Sequence, residues 1–113
     1  MKLKSLLPSL KEKKRYLVFE VISKNKISQN QAISSIMQKT RDFIGELGMA
    51  KANLSILEHW RNNKGIIKAS NKYTDEIKAS LTLINKIDNS DVIVRCLGVS
   101  GILNKAVSRY MGG

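Results

Sequence analysis

Runs of apolar and polar positions divide the chain into short segments of two periods. Tyr16-Leu17-Val18-Phe19-Glu20-Val21-Ile22 is dense in β-branched and aromatic residues and predicts a first strand. Ser28-Gln29-Asn30-Gln31 then has capping-box spacing, with a hydroxyl at the cap and an amide three residues on. Ile33, Ile36, Met37, Thr40, Ile44 and Leu47 follow at helical spacing, and Gly45 and Gly48 loosen the end of that predicted helix. Ala52 to Trp60 reads as a second strand with Leu54, Ile56 and Trp60 on one face. Arg61-Asn62-Asn63-Lys64 is turn material, and Gly65 to Ser70 continues as a third strand, so these two strands form a hairpin. A second helix is predicted from about Lys72 to Ile87, with Tyr73, Ile77, Leu81 and Ile84 inward and Asp75 and Glu76 complementing its dipole. After the turn Asp88-Asn89-Ser90, Val92 to Leu97 gives a fourth strand. A short closing helix carries Ile102, Leu103, Ala106, Val107 and Tyr110, with Ser100 as its expected cap.

Strand, helix, strand, strand, helix, strand is the split βαβ order of an α+β, ferredoxin-like or RRM-like fold. It predicts a four-stranded antiparallel sheet backed by two main helices, plus the terminal helix. Residues 1–15 read as a basic N-terminal arm and 16–113 as one domain. Halving 113 residues would leave neither part enough buried area to hold itself together.

The strands are apolar on both faces. Leu17, Phe19 and Val21 alternate with Val18 and Ile22, and Val92, Val94 and Cys96 alternate with Ile93, Leu97 and Val99. A sheet with helices on one side should alternate to polar on the other. The second face therefore needs a cover, either the chain's own terminal segments or a partner protein. Val18 and Ile22 are the candidate protein-interface residues, and left in water such a patch invites self-association.

Charge changes the picture further. Twenty basic residues against 9 acidic give +11 at pH 7, which implies a polyanionic partner, most commonly nucleic acid. A membrane surface fits less well, because the basic residues are spread over several segments and no apolar stretch approaches the roughly 20 residues that span a bilayer. The start of the chain has too short an apolar run for a signal peptide, which fits a cytoplasmic protein. Lys11, Lys13, Lys14 and Arg15 crowd together just before the first strand, and Arg95, Lys105 and Arg109 meet no acid from Arg95 to Gly113. These seven, with Ser100 before the terminal helix offering backbone N–H groups to an anion, are the candidate RNA contacts. RNA stacking on the sheet face is disfavoured, because the third strand has no aromatic residue and Tyr16 and Phe19 point to opposite faces.

Catalytic and metal constellations are absent from the sequence, as are nucleotide loops, and no bound cofactor is expected. The lone Cys96 excludes an internal disulfide, lies in an apolar run, and is far in sequence from the only histidine, His59. The loop after the first strand, Ser23-Lys24-Asn25-Lys26-Ile27, lacks the glycine cradle and arginine of a small phosphatase.

Two segments resemble a known family. Leu7-Pro8-Ser9-Leu10-Lys11-Glu12-Lys13-Lys14-Arg15-Tyr16-Leu17-Val18-Phe19-Glu20-Val21 is similar to the opening of the archaeal ribonuclease P protein component 2 family, the Pop-five type. Arg95-Cys96-Leu97-Gly98-Val99-Ser100-Gly101 is similar to its closing signature, although Ile102 stands where the family usually has threonine. The resemblance implies an RRM-like fold without RNA-stacking aromatics and a non-catalytic subunit of an enzyme that removes 5′ leaders from precursor tRNA. It also implies that the ribonuclease P RNA performs the hydrolysis with magnesium, and that a TIM-barrel-like partner, protein component 3, pairs with this subunit. Two other classes stay open: another ribosome- or RNA-associated protein of ferredoxin-like topology, and a small enzyme or ligand-binding regulator.

Overall fold

The computed structural model describes residues 13–112. Its elements are β1 (Lys14–Ser23), α1 (Gln29–Ala52), β2 (Ser55–Arg61), β3 (Lys64–Ser70), α2 (Thr74–Thr82), β4 (Lys86–Ile87), β5 (Ser90–Ser100) and α3 (Leu103–Tyr110), with a 3-10 turn Asn71–Tyr73 leading into α2. The sheet order is β2-β3-β1-β5-β4 and every pairing is antiparallel. Without β4 this is the expected four-stranded split βαβ sheet, with β1 central. The fifth strand is a two-residue addition at the edge.

β1 builds a core on each side. Leu17, Phe19 and Val21 face α1 and α2, where they meet Ile36, Ile77 and Leu81 along with Ile67, Val92 and Val94 from neighbouring strands. Thr40 completes that layer: the Ser80 hydroxyl donates to the Ile77 carbonyl at 2.8 Å, so the Thr40 hydroxyl donates to Ser80 at 3.0 Å. This buried pair ties α1 to α2 without leaving either oxygen unsatisfied. On the opposite face α3 lies across the sheet, and Val18 and Ile66 pack against Ala106 and Met111, with Leu97, Leu103, Val107 and Tyr110 around them.

That packing corrects the expectation for Val18. Its side chain has no exposure at all, so it belongs to the second core and offers nothing to a partner. Ile22, farther along β1, is 43% exposed and pairs across the sheet with Ile93, which is 63% exposed. The terminal helix thus covers one end of the second face and leaves the other open.

Several boundaries differ from the sequence reading. β1 begins at Lys14, so Lys14 and Arg15 lie in the sheet and not in an arm. α1 continues past both glycines to Ala52; only Gly45 leaves helical geometry, at φ 78°, and the helix then resumes with Gly48 and Ala52 buried. Asn53 in left-handed conformation closes it, its N–H donating to the Met49 carbonyl. α2 stops at Thr82: the Leu83 and Ile84 N–H groups close it by donating to the Ser80 and Leu81 carbonyls, and Ile84 and Ile87 reach the core from the segment that turns through Asp88 and Asn89 into β5. Both short hairpin turns place two residues at positive φ, Asn62 and Asn63 in one, Asp88 and Asn89 in the other, as the tight two-residue connection requires.

β5 contains an irregularity with consequences for the second face. Val18 pairs with Gly98, yet Phe19 pairs with Cys96, so Leu97 is an extra residue in the ladder. The bulge shifts the alternation: Leu97 packs in the second core and Val99 returns to the first, against the expectation that both share a face.

Candidate nucleic-acid interface

The start of β1, the end of β3 and the end of β5 meet at one end of the sheet. Lys14 lies opposite Ser70, Arg15 opposite Ala69, and Tyr16 between Lys68 and Ser100. The Asn71 N–H donates to the Lys13 carbonyl at 2.8 Å, which holds Lys72 beside the start of β1. Arg15 reaches across to the segment after β5: a Cβ on Gly101 would stand 2.7 Å from Arg15 Nη1, so the missing side chain makes room for the guanidinium. Lys13, Lys14, Arg15 and Ser100 are therefore gathered as a group, whereas Lys11 lies outside the described residues. Lys68 and Lys72 join them and went unnoticed in the sequence, because only strand register reveals that they border the first strand.

Ser100 does not cap α3. Its hydroxyl donates to the Ile102 carbonyl and accepts from the Ile102 N–H, each at 3.1 Å, and Ile102 occupies the cap position with no side-chain bond to the helix. The hydroxyl proton is committed locally. Lys105 and Arg109 are exposed one turn apart on α3, away from the side that carries Ala106.

Arg95 stands apart. It is on β5 opposite Glu20, about 13 Å along β1 from Tyr16 by strand rise. Its Nη2 and Nε contact Glu20 Oε1 at 3.0 and 3.1 Å while the side chain remains 60% exposed. An arginine in this apolar strand is thus tolerated because it is both paired and wet. Beyond this pair the open sheet face carries the Ile22–Ile93 contact and a shallow hollow of about 340 Å³ lined by Ile22, Ser23, Lys24, Asp91, Val92 and Ile93. Here acids and bases are mixed, in contrast with the basic end.

Among the described residues no three His, Cys, Asp or Glu side chains converge as metal ligands. Burial pushes the Cys96 thiol up, outweighing the lowering by the nearby Lys78 and the Gly98 backbone. His59 lies on β2, three strands away from β5, or about 14 Å at the usual strand spacing, which separates it from that thiol. No helix among the described residues is long and apolar enough to cross a membrane.

Comparison with known proteins extends the picture. Residues 15–111 match the model of the Rpp14/Pop5 family. The protein named ribonuclease P protein component 2 from Methanocaldococcus jannaschii is 34% identical over 110 residues, covering 97% of this chain and 81% of its own. Its namesake from Methanosarcina mazei is 32% identical over 109 residues, covering 96% and 93%. A chain in the structure of yeast ribonuclease MRP shares the fold, with a TM-score of 0.65 at 17% identity over 80% of this chain and 76% of that one. With residues 15–111 matching the family model and these relatives 32% and 34% identical over nearly the full length, the chain belongs to the Rpp14/Pop5 family.

Proposed function

We propose that this chain is a non-catalytic protein subunit of ribonuclease P, supporting the RNA that removes 5′ leaders from precursor tRNA in the cytoplasm. The observation that carries this reading is the match to component 2 proteins along 96% or more of the chain. The clustered cations at the β1 start supply the surface such a role needs, since phosphate contacts fix a protein on RNA without requiring base-stacking aromatics. In this reading hydrolysis and its magnesium belong to the RNA, and the protein positions and neutralises.

The exposed Ile22–Ile93 pair supports a second contact, with protein component 3 in the same assembly. Exposed apolar residues amid balanced charge suit a protein surface better than a polyanion. Precursor tRNA is then met through the whole particle.

Reconstitution tests the reading. Ribonuclease P RNA with the remaining protein subunits is assayed for precursor-tRNA cleavage with and without this chain, across a magnesium titration. Addition should raise the cleavage rate and lower the magnesium required, while the chain alone cleaves nothing. Unchanged cleavage, or cleavage by the RNA-free chain, refutes it.

A further inference from the structure

Three of the described cations are held in ion pairs away from the start of β1. Arg41, Lys86 and Arg95 sit 2.7, 2.9 and 3.0 Å from Glu46, Asp91 and Glu20. Lys13, Lys14, Arg15, Lys68 and Lys72, at the end of the sheet where β1 starts, have no carboxylate within ion-pair distance among the described residues. In sequence they form two separate groups. The register sets Lys14 and Lys68 on one face, the side of Val18 and α3, with the Asn71–Lys13 backbone bond holding Lys72 beside the strand, while Lys13 and Arg15 alternate to the side of Leu17.

We infer that the phosphates of a single RNA strand cross this end of the sheet transversely on the α3 side, over Lys72, Lys68 and Lys14. The inference rests on the RNA-binding reading above and adds the path and two residues, Lys68 and Lys72. The direction follows from the geometry. A strand following β1 lengthwise would run from Lys14 onto Glu20, where the cations are already paired. A strand crossing it on the α3 side meets Lys68 and Lys14 beside Tyr16. Lysines act on phosphates as point charges, so the contact is indifferent to base sequence.

The test uses the full chain and transcribed ribonuclease P RNA. Lys68→Gln with Lys72→Gln is compared with a charge-matched control, Lys64→Gln with Lys86→Gln, from the opposite end of the sheet, after circular dichroism has verified both folds. The first pair should lower the slope of log K against log salt by about 1.4–1.8, two contacts at roughly 0.7–0.9 each, and the control should leave it unchanged. An unaltered slope in the first pair overturns the track, as does an equal fall in both, which would mean that net charge alone matters. If the wild-type chain binds no RNA, the subunit reading falls and the track with it. If the wild type binds and supports cleavage while the first pair is silent, only the track falls.

Discussion

Replacing Gly98 by alanine probes how the terminal helix is seated. A Cβ at Gly98 would stand 2.1 Å from Tyr110 Cζ and 2.3 Å from Cε1, so the ring lies directly on the strand backbone. Carbon atoms rest at about 3.5–4.0 Å, so the ring must retreat by roughly 1.5 Å. Two responses compete. If α3 lifts away, Val18 and Ile66 lose their cover, at about 1.5–3 kcal/mol for each side chain. If the ring shifts while α3 stays docked, the cost is that of overpacking, about 1–3 kcal/mol. The second is cheaper, so Gly98→Ala should keep its helix and lose about 1–3 kcal/mol, each kcal/mol lowering Tm by roughly 4–8 °C in a domain of this size. Thermal and urea unfolding of Gly98→Ala, Tyr110→Ala and the double variant form the assay. Once the ring is gone, alanine at 98 should cost nothing and can gain about 0.5–1 kcal/mol, because glycine is the poorer strand residue. A coupling above about 1 kcal/mol is therefore expected between the sites. If Gly98→Ala costs the same in both backgrounds, the ring is not what requires glycine there.

Two further expectations follow from burial. Val18→Lys puts an ammonium where the side chain has no exposure and should abolish cooperative unfolding, whereas Ile22→Lys should keep native circular dichroism and lose binding to protein component 3; a well-folded Val18→Lys would show that α3 does not seal the second core. Cys96 has its pKa raised, chiefly by burial, so the native thiol should react slowly with a disulfide reagent at pH 8 and fast in urea. The sign for stability follows: the unfolded thiol ionises first as pH rises, so this group favours folding below the unfolded pKa, and its contribution is lost as pH climbs through the higher folded one. Equal reaction rates in the native and unfolded states would refute the burial argument.

Much of the fold was legible because the local signals agreed. The capping box at Ser28 and Gln31 forms as read, with both reciprocal bonds present. The two-asparagine turn, the core face of β1 and the inward set Ile77, Leu81 and Ile84 also stand where periodicity put them. The misreadings have physical causes. Ile84 falls at helical spacing from Leu81, but it lies in the turn just past the helix, its N–H bonded to the Leu81 carbonyl, and periodicity alone does not mark that end. Gly48 looked like a helix end and instead lies buried within α1, where a Cβ would stand 2.9 Å from Ile44 Cβ. The bulge at Leu97 is invisible in sequence because alternation continues on either side of it with shifted phase. The candidate site was half legible: the cations before β1 were apparent, while Lys68 and Lys72 depend on a pairing across fifty residues of chain.

The strand between the two cores gives the domain an internal clock. Leu17, Val18 and Phe19 are buried in succession, and their strand is hydrogen-bonded on both edges, to β3 and to β5. Their amide protons should exchange with solvent only when the whole domain opens. Those of α3 need only the helix to lift, which leaves the ladder intact. Native-state hydrogen exchange therefore separates two events in one molecule, and the difference between their opening free energies measures how much of the domain's stability survives without its terminal helix.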